Sequence, residues 1–212
     1  MGELEYLNTA WYLAVNHFAR ATAWAHGFMS NYAHFVGLGL LALLLLVAWW
    51  LSRYRADPDR EVAKVLWAAG GTVIAWAIAH YALKPWIAER RPYIRLHGVE
   101  VLLTKTTGFS FPSGHATIAG AVIVGLWMAR HKIVAAIATL AGVLLAFGRV
   151  YVGMHYPGDV VGGLIFGGVF VAALAPFDIR LLTSLDRFIR TRTPFWFLVR
   201  SGQTNEARTP VS

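Results

Sequence analysis

The sequence predicts an all-α, polytopic membrane helix bundle, and three observations carry that prediction. The 212 residues are 57% hydrophobic and only 14% charged, where a soluble domain carries about 25% charge. The apolar residues gather into five runs, at 31–51, 62–83, 116–129, 133–147 and 160–176, of bilayer-spanning length or close to it. The polar residues that remain concentrate in three short islands at the ends of these runs, where ionisable groups are costly and usually functional.

Residues 4–28 are apolar but carry Asn8, Asn16, His17, Arg20 and His26. They read as an interfacial or tilted helix, with a first membrane span as the alternative. The bundle therefore has five or six transmembrane helices. The runs 116–129 and 133–147 are short for a span, and extension through the flanking polar motifs is expected to lengthen both. Gly163 and Gly167 form a small-xxx-small pair in the last run, which permits close helix contact. Beyond Pro176, the spacing of Ile179, Leu182, Leu185 and Ile189 predicts a basic amphipathic helix over 178–190, and the last ten residues read as disordered. The organisation is one membrane domain over 1–176, with 1–29 as its possible interfacial or first transmembrane helix, followed by a basic tail over 177–212. No removable signal peptide is expected, and nothing in the sequence specifies an oligomeric state.

The formal net charge is +8. Nucleic acid is rejected as a partner, because much of this charge lies in short loops and the tail, where anionic headgroups of the lipid bilayer are nearer. The absence of cysteine excludes disulfides and thiolate metal sites. Arg53, Arg55 and Arg60, the turn 130–132, and Arg180, Arg187, Arg190, Arg192 and Arg200 fall on one side if the spans alternate. The positive-inside rule makes that side cytoplasmic. All three polar islands then face outward, where Lys84, Arg90, Arg91 and Arg95 break the rule as an anion site requires.

The first island runs from Lys84 to Pro92. Two helical turns separate Lys84 from Arg91, which would place both on nearly one face. Pro85 is compatible with a helix start and Pro92 with a stop. Lysine offers a point charge and arginine a planar fork for phosphate oxygens. Taken alone, the pair reads as snorkelling cations at a span end. The second island is Phe111-Pro112-Ser113-Gly114-His115. Ser113 is placed as a helix cap, Gly114 lets backbone approach closely, and free N–H groups favour an anion there. His115 stands in the first turn, where a bound phosphate would raise its pKa and favour an acid role. Taken alone, this is an ordinary capped helix. The third island holds Arg149, His155 and Asp159. Asp159, four residues after His155, is close enough in a tight loop to accept its Nδ1–H, leaving Nε2 as a nucleophile. A purely local His–Asp pair is the plainer alternative. Glu89 and Glu100 read as scattered, so no carboxylate cluster for a metal is expected.

Together, in this order and on one membrane face, the islands resemble the type 2 phosphatidic acid phosphatase superfamily, whose fold is shared with vanadium-dependent haloperoxidases. Its pattern K-x6-RP, PSGH, SR-x5-H-x3-D is matched by Lys84, Arg91 and Pro92, by Pro112, Ser113, Gly114 and His115, and by Arg149, His155 and Asp159. The match covers about 62–176, and Gly148 departs from it where serine is common. The resemblance implies a haloperoxidase-like core and a hydrolysis that needs neither metal nor cofactor. His155 would form a phosphohistidine and Asp159 would orient it. His115 would serve as acid and then base, and Lys84, Arg91, Arg149, Ser113 and Gly114 would bind phosphate oxygens. The partner it implies is a lipid phosphate: undecaprenyl diphosphate first, with phosphatidic acid or phosphatidylglycerol phosphate as alternatives. The implied location is a bacterial inner membrane with the site facing outward. A non-catalytic lipid-phosphate carrier and a haloperoxidase-like oxidation site are the rival readings.

Overall fold

The computed structural model describes residues 2–192, with side chains described through residue 176. Among these residues every regular element is helical. Helix α1 spans Glu3–Ala21. A short turn leads into α2 (His26–Asn31), a π-helical turn (Tyr32–Val36) and α3 (Gly37–Ser52), which together make one apolar run. Helix α4 (Pro58–Ile78) opens on an Asp57 cap that accepts the Arg60 N–H at 3.3 Å, with Pro58 pre-set for the first turn. A second π turn (Ala79–Leu83) and α5 (Lys84–Ile87) prolong it. The single turn α6 (Pro92–Arg95), then α7 (Gly114–Met128), α8 (Lys132–Tyr151) and α9 (Pro157–Arg192) complete the order.

Four helical runs, Ala23–Ser52, Pro58–Arg95, Lys132–Tyr151 and Pro157–Pro176, are long and apolar enough to cross a membrane. Helix α7 is apolar but has 15 residues, about 22 Å at 1.5 Å per residue. Extension through the flanking motif therefore holds for α8, which runs through Arg149, and fails for α7, where the backbone before Gly114 is extended. Nor does Pro176 end the last helix: it lies inside α9, and the amphipathic stretch expected beyond it belongs to the same element. The disorder expected of the last ten residues lies outside the described residues.

Helix α1 is not among the four long runs. Its polar residues dock it instead. Asn16 donates from Nδ2 to the Glu100 carbonyl at 2.8 Å and accepts the Glu100 N–H at 3.0 Å. Asn8 accepts the Gly158 N–H at 2.8 Å, and fully buried Tyr12 donates to the Gly153 carbonyl at 3.3 Å.

Helix α7 is central, packed between α4, α8 and α9. Its contact with α9 is made through glycine. A Cβ on Gly167 would lie 2.0 Å from the Thr117 carbonyl oxygen, and one on Gly163 would lie 2.7 Å from that of Ser113. Between helices in lipid, such close backbone approach replaces the missing hydrophobic drive. The small-residue pair thus seats the start of α7 against the start of α9, which is where two of the polar islands lie.

Candidate active site

Each island occupies a place where a helix begins or ends. After α5 the chain turns out of the helix at Ala88, which adopts a left-handed conformation (φ 54°), and its N–H returns to the Lys84 carbonyl at 2.9 Å. Lys84 and Arg91 are therefore not on one helical face. They meet because the chain reverses after α5, and Pro92 starts the single turn α6 rather than stopping a helix. The loop that follows supplies their acceptors. Lys84 Nζ donates to the carbonyls of Phe109 (2.9 Å) and Ser110 (3.2 Å), and Arg91 Nε to that of Gly108 (2.8 Å). Arg91 Nη1 also reaches the Met154 carbonyl at 3.1 Å. Buried cations held by neutral carbonyls keep their charge uncompensated and available to an anion.

The third island turns on Gly153. Its φ of +80° reverses the chain at the end of α8, and a Cβ there would lie 2.2 Å from the Glu100 carbonyl oxygen. Pro157 and Gly158 open α9, and Asp159 in the first turn reaches back to accept the Tyr156 N–H at 2.8 Å, the acidic half of a capping box. The same oxygen, Oδ2, faces His155 Nδ1 at 3.2 Å. The His–Asp contact expected from the spacing is present, and both residues are buried. On the far side of the ring, Arg91 Nη1 lies 3.4 Å from His155 Nε2. A guanidinium only donates, so Nε2 carries the lone pair and Nδ1 the proton. Burial first, and then the charges of Arg149, Arg91 and Lys84, hold the His155 pKa well below the ordinary imidazole value, which keeps the ring neutral.

His115 stands in the first turn of α7 and presents Nε2 to the His34 carbonyl at 3.1 Å. A carbonyl only accepts, so this nitrogen carries a proton. Arg149 donates from Nη1 to the Ala33 carbonyl at 3.0 Å, while its buried Nε has no partner among the described residues. Both acceptors lie in the π turn Tyr32–Val36, a helical geometry that recurs at functional sites. Gly148 allows this contact: a Cβ there would crowd the Ala33 methyl at 3.1 Å. The departure from serine thus has a packing reason. Ser113 sits at the N-cap of α7 but its side chain makes no capping bond; its hydroxyl is buried without a partner among the described residues.

Lys84, Arg91, Gly114, His115, Arg149 and His155 line one cavity of about 630 Å³. Asp159 contacts His155 from outside the lining, and Ser113 is also outside it. Three contributors have no counterpart in the sequence reading. Ser110, fully buried, donates its hydroxyl to Asp159 Oδ2. The Ala33 and His34 carbonyls are the second and third, and a backbone acceptor leaves no mark on side-chain identity.

An all-helical bundle with a buried cationic cavity, a neutral imidazole backed by a carboxylate and a second imidazole in the same cavity defines a class of anion-handling membrane-type protein. The family follows from comparison: residues 65–180 match the model of the PAP2 superfamily, and the chain belongs to it. It is 33% identical over 124 residues to undecaprenyl-diphosphatase BcrC of Bacillus subtilis, covering 58% of this chain and 60% of that one. It is 26% identical over 166 residues to phosphatidylglycerophosphatase B of the same organism, covering 73% and 76%. The fold is similar to the crystal structure of a transmembrane PAP2-type phosphatidylglycerolphosphate phosphatase from Bacillus subtilis, with a TM-score of 0.61 and 24% identity over 85% of this chain and 89% of that one.

Proposed function

We propose that the chain is an integral-membrane lipid phosphatase that hydrolyses the terminal phosphate of a lipid-linked diphosphate through a phosphohistidine on His155. One observation carries this reading. The His155 ring is held between Asp159 at Nδ1 and Arg91 at Nε2, so its lone pair points toward the fixed cations that would grip a phosphate. Lys84, Arg91 and Arg149 neutralise the equatorial oxygens, with the backbone at Gly114 close by. Such positioning and charge supply most of the catalysis in phosphoryl transfer.

In the first step Nε2 attacks phosphorus, the bond to the leaving oxygen breaks, and His115, protonated on both nitrogens beside the bound phosphate, gives that oxygen one proton and becomes neutral. Asp159 then faces the positive charge on the phosphorylated ring. In the second step His115 takes a proton from water, the water oxygen bonds to phosphorus, and the P–N bond breaks to regenerate His155 and release inorganic phosphate.

A polyprenyl diphosphate is the first substrate, supported by the similarity to undecaprenyl-diphosphatase. A glycerolipid phosphate is the second reading, supported by the similarity to phosphatidylglycerophosphatase B. The proposed setting is a bacterial inner membrane, with the cavity on the outer face and the basic loops inside. The test is phosphate release by the purified chain in EDTA from undecaprenyl diphosphate, phosphatidic acid and phosphatidylglycerol phosphate. Release from the diphosphate is expected to lead, and His155→Ala to reduce it by about 10³-fold or more. Turnover only with added Mg²⁺, or full turnover by His155→Ala, defeats the mechanism. Faster turnover of a glycerolipid reverses the substrate order alone.

A further inference from the structure

The anion site uses Lys84, Arg91 and Arg149 and leaves two histidines of the same cavity without a role. His34 and His80 both line it. They come from different spans, and each sits in a π turn, Tyr32–Val36 and Ala79–Leu83. A π turn inserts a residue into a helix and is found mostly where function demands it. Here two such turns deliver one imidazole each to one cavity.

Neighbouring contacts place residue 34 and the His80 ring near the start of α7. The His34 carbonyl takes the His115 Nε2 proton at 3.1 Å, so residue 34 lies against the first turn of that helix. The His80 ring stacks on Trp76, with centroids 5.3 Å apart and planes 21° from parallel. Trp76 Nε1 in turn lies 3.2 Å from where a Cβ of Gly114 would be. His80 is therefore one aromatic ring removed from Gly114. Each imidazole, in either tautomer, offers one N–H, and the indole offers another. These are donors without fixed charge, in the field of three cations that favours an anion.

We propose that His34, His80 and Trp76 form a second phosphate subsite, which takes the lipid-proximal phosphate of a diphosphate while the terminal phosphate occupies the Lys84–Arg91–Arg149 site. This rests on the phosphatase reading and deepens it to a preference for diphosphates. Uncharged donors suit that position, because the group they hold must leave with the lipid product once the terminal phosphate has been transferred.

The test measures binding of methylenediphosphonate, whose P–C–P bridge resists hydrolysis, and of methylphosphonate to the detergent-solubilised full chain by calorimetry. The wild-type protein is expected to bind the diphosphonate about tenfold more tightly, a difference that a few hydrogen bonds can supply. In the His34→Ala/His80→Ala variant the ratio falls toward one. Trp76→Phe keeps the stacked ring, removes one donor and must lower the ratio by itself, which guards against a misfolded double variant. A wild-type ratio near one, or a ratio that survives in both variants, overturns the subsite. Phosphate release from a polyprenyl diphosphate by the same preparation reports on the phosphatase reading separately. A chain that prefers the diphosphonate but releases no phosphate keeps the subsite and loses the catalysis.

Discussion

In the proposed mechanism the protonation of one ring governs the chemistry, and it leaves a mark on stability. Burial and three nearby cations depress the His155 pKa, so the folded protein keeps the ring neutral where the unfolded chain would protonate it, below about pH 6.5. The unfolded state then binds the extra proton, and stability falls as pH drops below that value, while above it this contribution is undiminished. Thermal unfolding measured between pH 7 and pH 5 should therefore show a larger loss for the wild-type protein than for His155→Gln. Equal slopes would mean that the ring is not held neutral. Ser110 makes a second prediction at this scale. Its hydroxyl bonds the carboxylate oxygen that orients His155, so Ser110→Ala should lower kcat by about tenfold, the worth of one hydrogen bond to a charged group, with KM little changed. A change confined to KM would remove Ser110 from the orienting chain.

At the scale of elements, two helix contacts carry the site. Gly167 lets α9 touch α7, and the atom a methyl would strike is a backbone oxygen at 2.0 Å, which no rotamer change can relieve. Gly167→Ala should destabilise by about 1–3 kcal/mol and lower activity, although residue 167 is outside the cavity lining. Gly39→Ala in α3 is the matched control, since nothing lies within 4 Å of its added methyl. There the better helix propensity of alanine should raise stability by up to about 1 kcal/mol. The second contact is between α8 and the π turn of residues 32–36. Gly148→Ser would press on Ala33, whose carbonyl holds Arg149, and should raise KM several-fold while sparing the fold. Unchanged kinetics would show that Ala33 moves without disturbing Arg149.

Across the whole molecule the two ends of the bundle differ in chemistry. The basic loops meet at one end, where Ser52 Oγ lies 2.8 Å from His131 Nε2 and Arg55 donates to the Arg130 carbonyl at 3.3 Å. The cavity lies at the other end, lined in part by the loop that precedes α7. Because the chain has no cysteine, single Lys105→Cys and Lys132→Cys variants report on the two ends separately. A membrane-impermeant maleimide applied to intact cells should label the first and not the second. The opposite pattern would place the cavity in the cytosol and reverse the orientation.

Much of this was legible in the sequence, because its signals are local. Apolar run length specifies helices in lipid, where every backbone group must be bonded within the segment. The spacing of His155 and Asp159 specifies a contact across one turn. The three islands identify the residues whose charge has no structural use in a membrane. What the tertiary structure decided is how those residues are held. Lys84 and Arg91 meet through a chain reversal at Ala88 and not along a helix. Arg149 is tied to a carbonyl 116 residues away, Ser110 bonds Asp159, and paired glycines bring α7 against α9. The physical reason is common to all of them: a backbone acceptor or a close approach between helices depends on where distant segments cross, and no residue's identity records that crossing.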